Sequence, residues 1–60
     1  MKDYILQYTN ECHNDCEYAF EAANFKEAIK DAKWMARGNE GLWFNIAVIG
    51  ADGECYEITF

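Results

Sequence analysis

The sequence predicts an α+β fold of order ββαββ, a four-stranded antiparallel sheet with one amphipathic helix packed on one face. Three observations lead there. Two segments with period-two alternation flank a polar turn near the start of the chain. A capped stretch with helical periodicity follows, and a second apolar pair of segments surrounds Gly50-Ala51-Asp52-Gly53.

Tyr4, Leu6 and Tyr8 alternate with Ile5, Gln7 and Thr9, which marks a strand with one apolar face. Asn10-Glu11-Cys12-His13-Asn14-Asp15 carries turn chemistry, and Tyr18, Phe20 and Ala22 alternate beyond it. An odd-length loop that sets Cys12 opposite Cys16 pairs Tyr8 with Phe20 and Leu6 with Ala22. All the large apolar residues of the hairpin then share one face.

Asn24, followed three residues later by Glu27, has the form of a capping box, so a helix is expected over 25–37. Gly38 then suits a left-handed residue just past its end. At about 100° per residue, Phe25, Ala28, Ile29, Ala32 and Ala36 form one stripe, with Met35 at its margin. Small alanines there allow close approach to a sheet. The run from Leu42 to Ile49 reads as a third strand and Glu54 to Phe60 as a fourth. A three-residue Ala51-Asp52-Gly53 loop with Gly53 left-handed pairs Val48 with Tyr56, Ile46 with Ile58 and Phe44 with Phe60. Strand order 2-1-3-4 places the apolar first and third strands at the centre; 1-2-4-3 also satisfies the connections.

Sixty residues allow one domain, 1–60, with one core. Hydrophobic residues at 52% and aromatics at 17% are too abundant for a disordered acidic tail. A net charge of −6 argues against direct nucleic-acid binding and against an anionic membrane. The opening Met1-Lys2-Asp3 followed by Tyr4-Ile5-Leu6 is too short and polar for a signal peptide, so a cytoplasmic setting is expected. Three cysteines, an odd number, suit a reducing compartment better than a disulfide framework.

Cys12, His13, Cys16 and Cys55 could in principle supply zinc ligands. In ββαββ, however, the first turn and the residues beside Cys55 lie at opposite ends of the sheet. No metal site and no cofactor is expected. His13 has only Cys12, Cys16 and Asp15 near it in sequence, on a loop without a pocket, which makes a poor catalytic set. The expectation is a protein that is not an enzyme.

Charge and tryptophan placement carry more. Lys26, Lys30, Lys33 and Arg37 hold four of the five basic residues on one helix flank, while nine of the eleven acids lie outside the helix. That flank either leans over an acidic sheet edge of the same molecule or meets an acidic partner. Trp34 falls on the polar helix face, unless it folds back over 38–42. Trp43 is expected on the sheet face away from the helix, near Ile5 and Ile49 and rimmed by Glu17, Glu21 and Glu57. Exposed apolar patches mark contact surfaces and tryptophan is enriched at binding hot spots. Trp43, Trp34, Ile5, Ile49, Glu17, Glu21 and Glu57 are therefore the candidate partner-binding residues.

A short hairpin, an Asn-capped alanine-rich helix and a terminal hairpin together resemble the small acidic proteins of phages and mobile elements, anti-CRISPR proteins among them. The resemblance covers the chain as architecture and assigns no site residues. It implies a non-enzymatic inhibitor or adaptor that occupies a partner's surface; the acidic face of this chain points to a protein partner with a basic surface, such as a basic nucleic-acid groove. A structural module that forms a homodimer through the open sheet face is the alternative.

Overall fold

The computed structural model describes residues 1–39 and 41–59. The chain forms β1 (Lys2–Thr9), β2 (Asp15–Ala22), α1 (Phe25–Arg37), β3 (Phe44–Gly50) and β4 (Cys55–Glu57). The sheet is antiparallel in the order β2-β1-β3-β4, with the two strands that hold most of its buried residues, β1 and β3, at its centre.

The helix begins as the capping signature predicts. Asn24 is extended at φ −158°, and its side-chain oxygen accepts from the Glu27 amide at 2.9 Å. Ala28, Ala32 and Ala36 are fully buried and let the helix lie on the sheet against Tyr4, Leu6, Val48, Ile46 and Ile58. Phe25, Ile29 and Met35 close the margin of this core.

The helix ends differently from expectation. Gly38 has φ −68° and is not left-handed. Asn39 does the terminating instead: its amide donates to the Ala36 carbonyl and its side-chain amide to the Met35 carbonyl. The Asn39 carbonyl then accepts from Leu42 and Trp43, which fixes the approach to β3. The left-handed glycine of this connection is Gly41, at φ 87°.

The first hairpin keeps its predicted faces but not its predicted register. Tyr8 pairs with Cys16, Leu6 with Tyr18 and Tyr4 with Phe20, so Cys12 does not face Cys16. Asn10 causes the shift. Its side-chain oxygen accepts from both the Cys12 and Asn14 amides, at 2.9 and 3.0 Å, and closes a turn centred on Cys12. His13 completes that turn in the left-handed region at φ 63°. Because the slip is even, no side chain changes face.

The second hairpin has the predicted register. Val48 pairs with Tyr56, the Ile58 amide donates to the Ile46 carbonyl, and Gly53 is left-handed at φ 81°. Strand β4 is shorter than the predicted 54–60, and the expected partner of Phe44, Phe60, lies outside the described residues. Strand β3 starts at Phe44 rather than Leu42.

One irregularity governs the rest of the surface. Gln7 pairs with Ala47 but Thr9 pairs with Phe44, so two residues of β3 oppose one of β1. Asn45, at φ 55°, is in the left-handed conformation of this bulge. From there toward the start of β3, inward and outward positions exchange.

Candidate protein-binding surface

The sheet face away from the helix can be read row by row, because cross-strand partners point the same way. Glu21 and Asp3 form one row; Ala19, Ile5, Ile49 and Cys55 form the next. Glu17, Gln7, Ala47 and Glu57 follow, and then Asp15, Thr9 and Phe44. The centre is thus an apolar strip through Ile5 and Ile49. Around it stand five carboxylates, Asp3, Asp15, Glu17, Glu21 and Glu57, all exposed, and these rows contain no Lys or Arg.

Five of the seven residues expected at the site are brought together here: Ile5, Ile49, Glu17, Glu21 and Glu57. Trp43 is not among them. The bulge turns it to the helix side, where its ring stacks on Tyr8 with centroids 3.8 Å apart and planes 16° apart, against the core. The expectation that Trp43 lies on the open sheet face is therefore corrected, and Asn45 is the physical reason. The exchange also sends Phe44, expected in the core beside Ile46, to the open face. It is 39% exposed, with the His13 ring 5.7 Å away.

Trp34 is 74% exposed and does not fold back over the connection; it borders a shallow depression with Arg37 and Gly38. It belongs to the helix layer and is separate from the Ile5 strip. The basic flank is also on that layer, and it meets the sheet at an aromatic ring. The Lys33 ammonium lies 5.5 Å from the Tyr56 centroid. Basic helix and acidic sheet thus form opposite sides of the molecule.

The three cysteines are free thiols. Cys16 donates to the Asn14 carbonyl and accepts from the Asn10 side chain, while Cys55 lies in the Ile5 row, several rows from the turn that holds Cys12. Among the described residues no three His, Cys, Asp or Glu side chains are grouped to hold a metal ion. Cys16 also acts on Tyr8. Desolvation raises the phenol above its ordinary value of 10.0, and repulsion from and hydrogen bonding with Cys16 raise it further. Among the described residues no helix is long and apolar enough to cross a membrane.

Sequence reasoning missed Phe44, Asp3, Asp15 and Ala19 as members of the face. The signal available for Phe44 was Asn45 itself, a residue that tolerates the left-handed region, placed inside an otherwise apolar strand.

Comparison with protein-family models, with curated proteins and with solved structures returns no match, so function is argued from this surface.

Proposed function

We propose that this protein is a stoichiometric, non-enzymatic binder that acts by covering a basic surface on a partner protein with its open sheet face. The observation that carries the reading is the charge segregation: an Ile5–Ile49 strip ringed by five carboxylates, with every helix cation on the opposite layer. An apolar centre with a single-sign rim suits hydrophobic contact combined with electrostatic steering toward a cationic surface. Inhibition or adaptation in the cytoplasm, as in the anti-CRISPR proteins whose architecture it resembles, fits such a surface. Homodimerisation through the same face is the weaker reading, because stacking two copies sets five carboxylates against five without an intervening cation.

The test compares wild type with Glu17→Lys/Glu57→Lys, a pair of exposed sites whose reversal leaves the core untouched. Wild type should sediment as a monomer and retain a cytoplasmic partner with salt-sensitive association, and the folded variant should lose that partner. A wild type that sediments as a dimer and a variant that retains the same partner would together refute this reading.

A further inference from the structure

The sheet has two edges of unequal kind. Strand β4 spans three residues, whereas β2 spans eight in an unbroken ladder with β1 and, among the described residues, has no neighbour on its other side. Edge strands are usually blunted with proline, lysine, a bulge or a covering element. Strand β2 contains no proline, no basic residue and no register shift, and the charged residues along it are Asp15, Glu17 and Glu21.

The hydrogen-bond phase shows what this edge offers. The Asn10 amide donates to the Asn14 carbonyl at 3.0 Å, which makes 10 and 14 a hydrogen-bonded pair. Such pairs alternate along an antiparallel ladder. Cys16, Tyr18 and Phe20 therefore direct their backbone groups to β1. Asp15, Glu17, Ala19 and Glu21 direct theirs outward. The same residues carry their side chains on the open acidic face. Three of these four residues, Asp15, Glu17 and Glu21, thus combine free backbone donors and acceptors with a carboxylate.

We propose that the free edge of β2 accepts an extended basic segment of a partner protein as a fifth strand. The proposal rests on the reading of the open face as the partner side and names the element that face recognises. In an antiparallel added strand, the residues opposite Glu17 and Glu21 point to the same face and are four apart, so they are Lys or Arg. The residue between them, opposite Ala19, is apolar and extends the Ile5 row. Intervening residues fall beside Tyr18 and Phe20 on the helix side and are apolar too. A second copy of this chain is a poor occupant. In the two antiparallel β2–β2 registers of longest overlap, Glu21 meets either Asp15 or Glu17 of the other copy, and like charges directly opposite are destabilising.

The probe is a capped peptide, Thr-Val-Lys-Val-Val-Val-Lys-Val-Thr, titrated into the ¹⁵N-labelled protein, with a glutamate-for-lysine peptide as control. The lysine peptide should shift the amides of Glu17, Ala19 and Glu21 and bind about tenfold more tightly than the control. Ala19→Pro removes an outward N–H while leaving the β1 ladder intact, so it should fold and bind about tenfold more weakly. Glu17→Lys/Glu21→Lys should exchange the preference between the two peptides, which keeps the test sharp if Ala19→Pro fails to fold. Shifts at Ile5, Ala47 and Ile49 with the β2 amides unmoved would overturn the edge assignment while leaving the face reading standing. Equal binding of the two peptides, no binding, or β2 amides that move with protein concentration alone would each overturn it as well.

Discussion

Trp43 was a candidate binding anchor by sequence, and the structure turns it into a stability residue, which can be measured directly. A tryptophan carries roughly 200 Å² of surface, and half-burial under Tyr8 removes about 100 Å² from water. At about 25 cal/mol per Å² that contributes about 2.5 kcal/mol, and stacking adds about 1 kcal/mol. A domain of this length is expected to have roughly 3–9 kcal/mol in total, so Trp43→Ala should remove a large share of it. Urea unfolding followed by circular dichroism at 222 nm is the assay. Trp43→Ala should lower stability by about 3–4 kcal/mol, whereas Trp34→Ala, at a site 74% exposed, should change it by less than about 0.5 kcal/mol. A double-mutant cycle with Tyr8→Ala should give a coupling of about 1 kcal/mol. If Trp43→Ala leaves the urea midpoint where it was, or the coupling is zero, the stacked arrangement and the bulge that produces it are wrong.

Three further outcomes are expected. Tyr4 is 2% exposed and its hydroxyl has no hydrogen-bond partner among the described residues, so Tyr4→Phe should be neutral or stabilise by about 1 kcal/mol in the same unfolding assay. Asn45→Gly should be tolerated, whereas Asn45→Val forces a β-branched residue to φ 55° and should destabilise by about 1–3 kcal/mol. Tyr8 has a raised folded-state pKa, so the native state retains a proton that the unfolded chain releases near 10.0. Its contribution is fully present below that pH and is lost as pH rises through the higher folded value; stability should fall across that alkaline window in wild type and more shallowly in Tyr8→Phe.

The fold was largely legible because its signals are local and agree with one another. Asn24 and Glu27 define the helix start, the alanine stripe defines its buried side, and Gly53 fixes the second hairpin's register. The misplaced features are those decided by a side chain acting on backbone at a distance of several residues. Asn10 recentres the first turn by holding two amides at once, an effect that parity of apolar residues cannot report, since an even slip leaves every face unchanged. Asn39 takes over the helix end from Gly38 in the same way, through its amide and its carbonyl.

Asn45 had the larger consequence, because a bulge is an odd change. It inverted the assignments of Trp43 and Phe44 together, so one local conformation both removed the presumed anchor from the open face and supplied another aromatic to it. The candidate surface survives this inversion because its definition does not depend on the start of β3. Ile5, Ile49, Glu17, Glu21 and Glu57 lie on the regular side of the bulge, where strict alternation holds. The feature that alternation alone could not reveal is the phase of the ladder. Only with the Asn10–Asn14 bond in view does β2 show that Asp15, Glu17 and Glu21 carry both outward backbone groups and carboxylates. For the proposed added strand, that coincidence sets the requirement: cationic side chains must arrive at the spacing of an extended strand. A helix carrying the same charges would present them at the wrong repeat and leave the edge unsatisfied.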